Sequence, residues 1–196
     1  MRRTFAAVAA VVLILLGFAS PDVRDNIAGV LEPLFPGISS PYKPLSTNKP
    51  GPIEEGIWKV AYVVDGDTLR IIDSAGTKYY VRLIGADTPE TMKPNTPVEP
   101  FGLEASDFTK KKIAESNNRV RLAFDGDQVD KYGRCLAMVY LQMPDGKEVW
   151  LNELLIREGL ARAQLQYRYS KGAKTAFQQA EAEAKSAKRN LWSMGI

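Results

Sequence analysis

Three short segments carry the residue types able to do chemistry: VVDGDTLRI at 63–71, VRLIGADTPE at 81–90 and DKYGR at 130–134. They bring Asp65, Asp67, Asp87 and Glu90 together with Arg82, Arg134 and a tight Gly-bearing turn, at the ends of predicted strands. Carboxylates suited to a hard cation, beside guanidinium forks suited to a phosphate, are what metal-assisted phosphodiester hydrolysis requires.

Composition narrows the alternatives. The chain has no histidine and a single cysteine, Cys135. Hydrolases with a histidine base, histidine-based nucleases and zinc sites built on His and Cys are therefore excluded, and any acid or base must be a carboxylate, a lysine or a tyrosine. A lone cysteine forms no intramolecular disulfide, and Cys135 reads as a small apolar strand residue. With 196 residues and 45% apolar content the chain can bury one ordinary core. The formal charge of +3 permits a polyanionic partner without demanding one.

The elements that must position these residues follow from periodicity. Residues 58–64, 68–73 and 78–84 alternate as strands, joined in part by a turn at 73–76, and 119–124 and 135–142 return to the strand pattern. Helical spacing at 102–116 sets Leu103, Phe108, Lys112 and Ile113 together. A short helix at 152–158 closes at Gly159, and a charged helix at 170–189 carries Ala173, Ala176, Phe177, Ala180, Ala184 and Ala187 on one face. Short strands with inserted helices predict an α+β, mainly β, domain: a small OB-type barrel plus helices.

Ahead of that domain lie two other regions. Residues 1–19 combine Arg2 and Arg3 with an uncharged stretch from Thr4 to Ala19, the outline of a signal peptide, or of an uncleaved membrane anchor. Either reading exports the rest of the chain. Residues 20–56 hold seven prolines, from Pro21 to Pro52, among Ser, Gly, Asn and Lys, and read as a semi-extended linker. The folded domain is expected over 57–196.

The order DGDT, RLIGADTPE, PFGxEA, DKYGR and NExLxxxGLA resembles the staphylococcal nuclease (thermonuclease) family, from about residue 57 to residue 192. The resemblance implies a five-stranded OB-type barrel with three helices and calcium-dependent cleavage of DNA and RNA with little base specificity. It implies that Asp67, Asp87 and the Thr88 carbonyl bind the metal, with Asp65 behind them. Read from the residues alone, two hard carboxylate donors and a backbone carbonyl suit calcium rather than zinc. Pro89 stiffens the loop before Glu90, whose matching glutamate in the family activates the attacking water. Arg82 and Arg134 supply planar forks for phosphate oxygens in the transition state. The 5′ oxygen is expected to leave, giving 3′-phosphate products, and single-stranded nucleic acid is the expected preference.

Lys131, Tyr132 and Tyr167 are the expected substrate contacts. After GLA the family shows two tyrosines spaced by one residue; here Leu165 takes the first position and Tyr167 keeps the second. The stacking platform is thereby weakened, with Tyr132, Tyr167 and an extra Tyr169 available to compensate. No obligate protein partner is implied, a monomer is expected, and membrane association rests on residues 1–19 alone. A different function, a catalytically weak or inactive nucleic-acid-binding OB module at the cell surface, would be expected to lose the carboxylates and arginines that this chain keeps.

Overall fold

Alternating apolar and polar side chains produce three antiparallel strands, β1 (Gly56–Asp65), β2 (Thr68–Ile72) and β3 (Lys78–Leu83). The computed structural model describes residues 53–91 and 97–194. The expected leader at 1–19 and the Pro-rich stretch through residue 52 lie outside the described residues. Ile53 is already buried in the core, upstream of the first strand. Asp73 builds the β2–β3 turn, its Oδ1 accepting from the Ala75 and Thr77 amides at 2.9 and 2.8 Å.

Two later strands, β5 (Arg119–Ala123) and β6 (Cys135–Gln142), complete the sheet. The order β1, β2, β3, β6, β5 returns to β1, so five strands close a barrel. All neighbours are antiparallel except β3 and β6, which run parallel and seal the seam with Val81 opposite Cys135 and Arg82 opposite Leu136. Closure removes the exposed edges of an open sheet and fills the interior with Leu69, Ile71, Val81, Leu122, Ala137 and Val139, all fully buried. The OB-type barrel expected from the sequence is the observed architecture. Cys135 sits within this core, where burial pushes its thiol up to about 12 and leaves it unreactive.

Three helices pack on the barrel: α1 (Gly102–Glu115), α2 (Leu151–Arg157) and α3 (Lys171–Ser186). The buried face of α1 differs from the expected one. Leu103 is exposed, whereas Ala105, Ser106, Thr109 and Ile113 are buried. Small residues win that face because α1 lies against a backbone turn, where the Thr109 hydroxyl donates to the Gly66 carbonyl at 2.6 Å. On α3, Ala173, Phe177, Ala180 and Ala184 are buried as expected, but the helix stops at Ser186, so Ala187 lies outside it and is exposed. Gly159 closes α2 with φ of 68°, and a Cβ there would lie 2.5 Å from the Arg189 carbonyl oxygen.

Three short strands were not evident from periodicity. β7 (Glu148–Trp150) extends the β6 edge, and β4 (Ala86–Asp87) pairs with β8 (Arg162–Ala163) in a separate two-stranded ladder. A buried asparagine secures this corner. Asn152 Oδ1 accepts from the Val139 amide at 2.8 Å, and its Nδ2 donates to the Ile84 and Ala137 carbonyls at 2.9 and 3.1 Å. Asn152→Ala strands the Val139 amide and the Ile84 carbonyl away from water, while the Ala137 carbonyl keeps the Ile84 amide, so a loss on the order of 2–4 kcal/mol is expected in chemical denaturation, with the denaturant slope unchanged. Among the described residues no helix is long and apolar enough to cross a membrane.

Candidate active site

One end of the barrel collects every chemically active segment, for reasons of register. Thr68, at the start of β2, lies opposite Arg82 near the end of β3, and the Leu83 amide donates to the Asp67 carbonyl at 2.9 Å. The parallel seam then places Arg82 beside Leu136, two residues past Arg134. The β1–β2 turn, the β3–β4 corner and the loop entering β6 therefore meet. Ladder geometry brings together residues that the sequence spreads over the span 65–134.

At the centre stands Arg82. Its Nη1 forms an ion pair with Asp67 Oδ1, and its Nη2 donates to Asp87 Oδ1 at 2.6 Å. Asp67 is 0% exposed, while the Asp87 side chain keeps 39% of its surface. Asp67 is further held by the Thr88 amide, which donates to its Oδ2 at 2.8 Å, and by the Thr68 hydroxyl at 3.0 Å. Burial lowers the Arg82 pKa and the neighbouring Arg134 charge lowers it further, while Asp87 opposes both; the guanidinium stays charged throughout. Among the described residues no three acidic, histidine or cysteine side chains converge as a metal cluster. Asp67 and Asp87 converge instead on a single guanidinium.

Gly66 lets the turn sit this tightly. A Cβ there would lie 2.8 Å from Thr88 Cγ2 and 2.9 Å from both Thr88 Oγ1 and Ala105 Cβ. Gly66→Ala must push Thr88 away from Asp67, and a destabilisation of about 1–3 kcal/mol with reduced activity is expected from thermal melting and rate assays.

Asp65 and Glu90 form a second acidic pair. Asp65 Oδ1 accepts from the Gly66 amide at 2.7 Å and from the Thr91 hydroxyl at 3.0 Å. Burial raises the Asp65 pKa against those hydrogen bonds, and the adjacent Glu90 carboxylate raises it further. The Glu90 backbone is clamped in turn: its amide donates to Glu99 Oε2 at 3.1 Å and its carbonyl accepts from the Glu99 amide at 3.0 Å. Asp65 thus lies beside Glu90, and Thr91 ties the loop to the β1 end.

Arg134 is presented by a turn whose organiser the sequence reading passed over. The Asp130 carboxylate accepts from the Tyr132 amide at 2.8 Å, from the Arg134 amide at 2.9 Å and from Arg134 Nε at 2.6 Å. An aspartate preceding a glycine turn is a readable signal of this kind, and Gly133 adopts φ of 78°. Nε faces Asp130, and among the described residues no hydrogen bond takes the two Nη groups.

The remaining predicted contacts separate. Tyr132 is 64% exposed, with Lys131 Nζ 4.9 Å and the Arg134 guanidinium 5.4 Å from its ring centre. Tyr167 is half-buried and close enough to Arg82 to influence its charge. Leu165 packs against the core, its carbonyl accepting from Lys174 Nζ at 2.8 Å. Tyr169 cannot compensate for it. That ring is 8% exposed against Phe177, its hydroxyl donates to the Gln164 carbonyl at 2.8 Å, and burial pushes its pKa up to about 12.

Comparison with known proteins bears on the family of the chain. Residues 80–194 match the family model described as Staphylococcal nuclease homologue. The chain belongs to the staphylococcal nuclease family. It is 45% identical over 164 residues to a thermonuclease of Staphylococcus hyicus, covering 84% of this chain and 90% of that protein. A thermonuclease of Staphylococcus intermedius is 47% identical over 152 residues, 78% of this chain and 83% of the relative. Endonuclease YncB of Bacillus subtilis is 44% identical over 131 residues, 66% of this chain and 58% of its own length. All the motif segments that carried the resemblance fall within the described residues and, apart from the PFGxEA and NExLxxxGLA helical segments, at this end of the barrel.

Proposed function

We propose that the chain is a calcium-dependent, sugar-nonspecific endonuclease that hydrolyses DNA and RNA phosphodiesters to 3′-phosphate products. The observation that carries this reading is the convergence of Arg82, the Asp67 and Asp87 carboxylates and the turn bearing Arg134 at one end of the barrel. Arg82 is balanced by Asp67 and Asp87, and Arg134 Nε by Asp130, which leaves the two Arg134 Nη groups without a hydrogen-bond partner among the described residues. A phosphodiester supplies the paired oxygens that such a guanidinium fork binds.

Asp67, Asp87 and the Thr88 carbonyl fit a hard divalent cation, because they offer oxygen donors only and Asp87 is open to solvent. The Arg82 guanidinium already occupies the cationic place between the two carboxylates. Calcium bound there would neutralise charge on the phosphoryl group.

The chain's own residues account for the remaining work. Glu90, stiffened by Pro89 and clamped by Glu99, takes a proton from a water aligned with the phosphorus, either as a base or by orienting it. That water oxygen forms the new P–O bond while the bond to the 5′ oxygen breaks in line. The 5′ oxygen departs with the bonding pair and acquires a proton from solvent, leaving a 5′-hydroxyl and a 3′-phosphate. Arg82 and Arg134 hold the equatorial oxygens as negative charge accumulates. Lys131, Tyr132 and Tyr167 contact the flanking nucleotides, with Leu165 contributing an apolar surface in place of a ring. Export through residues 1–19, as a cleaved signal or a retained anchor, and action as a monomer belong to the same proposal.

Single-stranded DNA and RNA labelled at either end provide the test. Cleavage of both in millimolar calcium, none in excess chelator, and 3′-phosphate ends support the reading. Undiminished cleavage in chelator overturns the calcium assignment, and 5′-phosphate products overturn the leaving-group assignment.

A further inference from the structure

Away from the catalytic end, β1 and β5 enclose a groove of about 380 Å³ lined by Ile57, Trp58, Lys59, Asn117 and Arg119. Lys59 and Arg119 are directly opposed in the antiparallel register. Like charges at such positions destabilise a sheet. Among the described residues neither forms an ion pair. The contrast with Arg121, the next residue of β5 on that face, is direct: both its Nε and Nη2 are met by Glu148 at 2.7 Å. Glu148 is held down to about 2 by that contact, so Arg121 is neutralised where Lys59 and Arg119 are not. Glu55, just before β1, is engaged by the Phe124 amide. Trp58, paired with the buried Val120, turns its indole to the other face of the strand, where its Nε1–H donates to the Glu54 carbonyl at 2.9 Å and its ring meets Tyr79 edge-on. Ile57, 57% exposed, forms the rim.

We infer that this groove is a second nucleic-acid contact, in which Lys59 and Arg119 hold a backbone phosphate of the substrate strand beside the exposed Ile57 side chain. The inference rests on the nuclease reading for the identity of the polyanion. Two adjacent uncompensated cations favour one phosphate between them, and the exposed Ile57 on the same face offers the flanking sugar an apolar surface. From Lys59 to Asp65 the strand rises about 20 Å at roughly 3.3 Å per residue. A dinucleotide seated at the catalytic end falls short of the groove, whereas a strand filling a footprint of about 4–16 nucleotides per OB fold reaches it. The groove therefore discriminates by length: it strengthens the hold on long strands and leaves the chemistry at the scissile bond unchanged.

The test is salt-dependent binding of the full chain to single-stranded DNA of about 30 and about 2 nucleotides in chelator, which needs no cleavage. Each neutralised phosphate contributes about 0.7 to the slope of log affinity against log salt. The double variant Lys59→Gln/Arg119→Gln frees that one phosphate and is expected to lose about 0.7 from the slope for the long strand and nothing for the short one. Lys59→Arg is expected to keep the wild-type slope. An unchanged slope on the long strand, or an equal loss on both lengths, overturns the groove. Cleavage assays judge the nuclease reading separately, so failure of one is distinguishable from failure of the other.

Discussion

Glu90→Gln is expected to fold as the wild type does and to cut single-stranded DNA slower by about 10²–10⁴-fold, with KM little altered. Glutamine preserves the side-chain volume and can keep a hydrogen bond to water, but it accepts no proton. The Glu90 backbone is held by Glu99 in both directions and the chain before it by Pro89, so the substitution leaves the loop anchored. Replacing a carboxylate beside the partly buried Asp65 also removes a like-charge contact, so no loss of stability accompanies the loss of rate. Single-turnover kinetics with thermal melting of the same preparation check both halves. Cutting at the wild-type rate would remove Glu90 from water activation, and a large fall in melting temperature would make it a structural residue instead.

Arg82 has the second large effect, and two substitutions separate its roles. Arg82→Lys retains a positive charge near Asp67 and Asp87 but loses the fork that spans both, so kcat is expected to fall about 10²–10³-fold with modest change in stability. Arg82→Ala leaves the wholly buried Asp67 without its cation, and a destabilisation of about 3 kcal/mol is expected in chelator. Because the same carboxylates are those proposed to take calcium, millimolar calcium should restore more stability to Arg82→Ala than it adds to the wild type. Equal stabilisation of the two proteins by calcium would argue that the ion binds elsewhere.

The parts of this site that were legible in the sequence are those where one residue does a local job. Strand alternation located β2, β3 and β6 closely, and Gly159 marked a helix end that the structure confirms with a left-handed φ. Motif order named the charged residues that register then brings together at one end of the barrel. What stayed hidden depends on pairing between distant segments. The two-residue strands β4 and β8 are too short to show a period and exist only because Ala86 and Ala163 meet in the fold. The face of α1 was misjudged for a related reason: helical spacing favours Leu103, but the partner is the Gly66 turn, which admits Ala105 and Thr109 and no larger side chain. Tyr169 looked available by adjacency to Tyr167, yet its residue position turns it inward onto Phe177.

Arg82 also shows where motif reading and structure add to each other. The sequence assigned it to phosphate and assigned Asp67 and Asp87 to a metal, as separate tasks. The structure makes them one electrostatic unit, in which the guanidinium balances the carboxylates until other charges arrive. Substrate and cation binding are thereby linked through a single side chain, and their affinities should rise together.

The most direct measurement uses a soluble form beginning near Ser46, mixed with heat-denatured DNA, with wild type and Glu90→Gln run side by side in millimolar calcium and in excess chelator. Rapid cleavage by the wild type in calcium alone, with the variant slower by at least about two orders of magnitude, is the predicted result. A folded wild-type domain that binds the DNA and leaves it intact in calcium would contradict the account and make the chain a binding module.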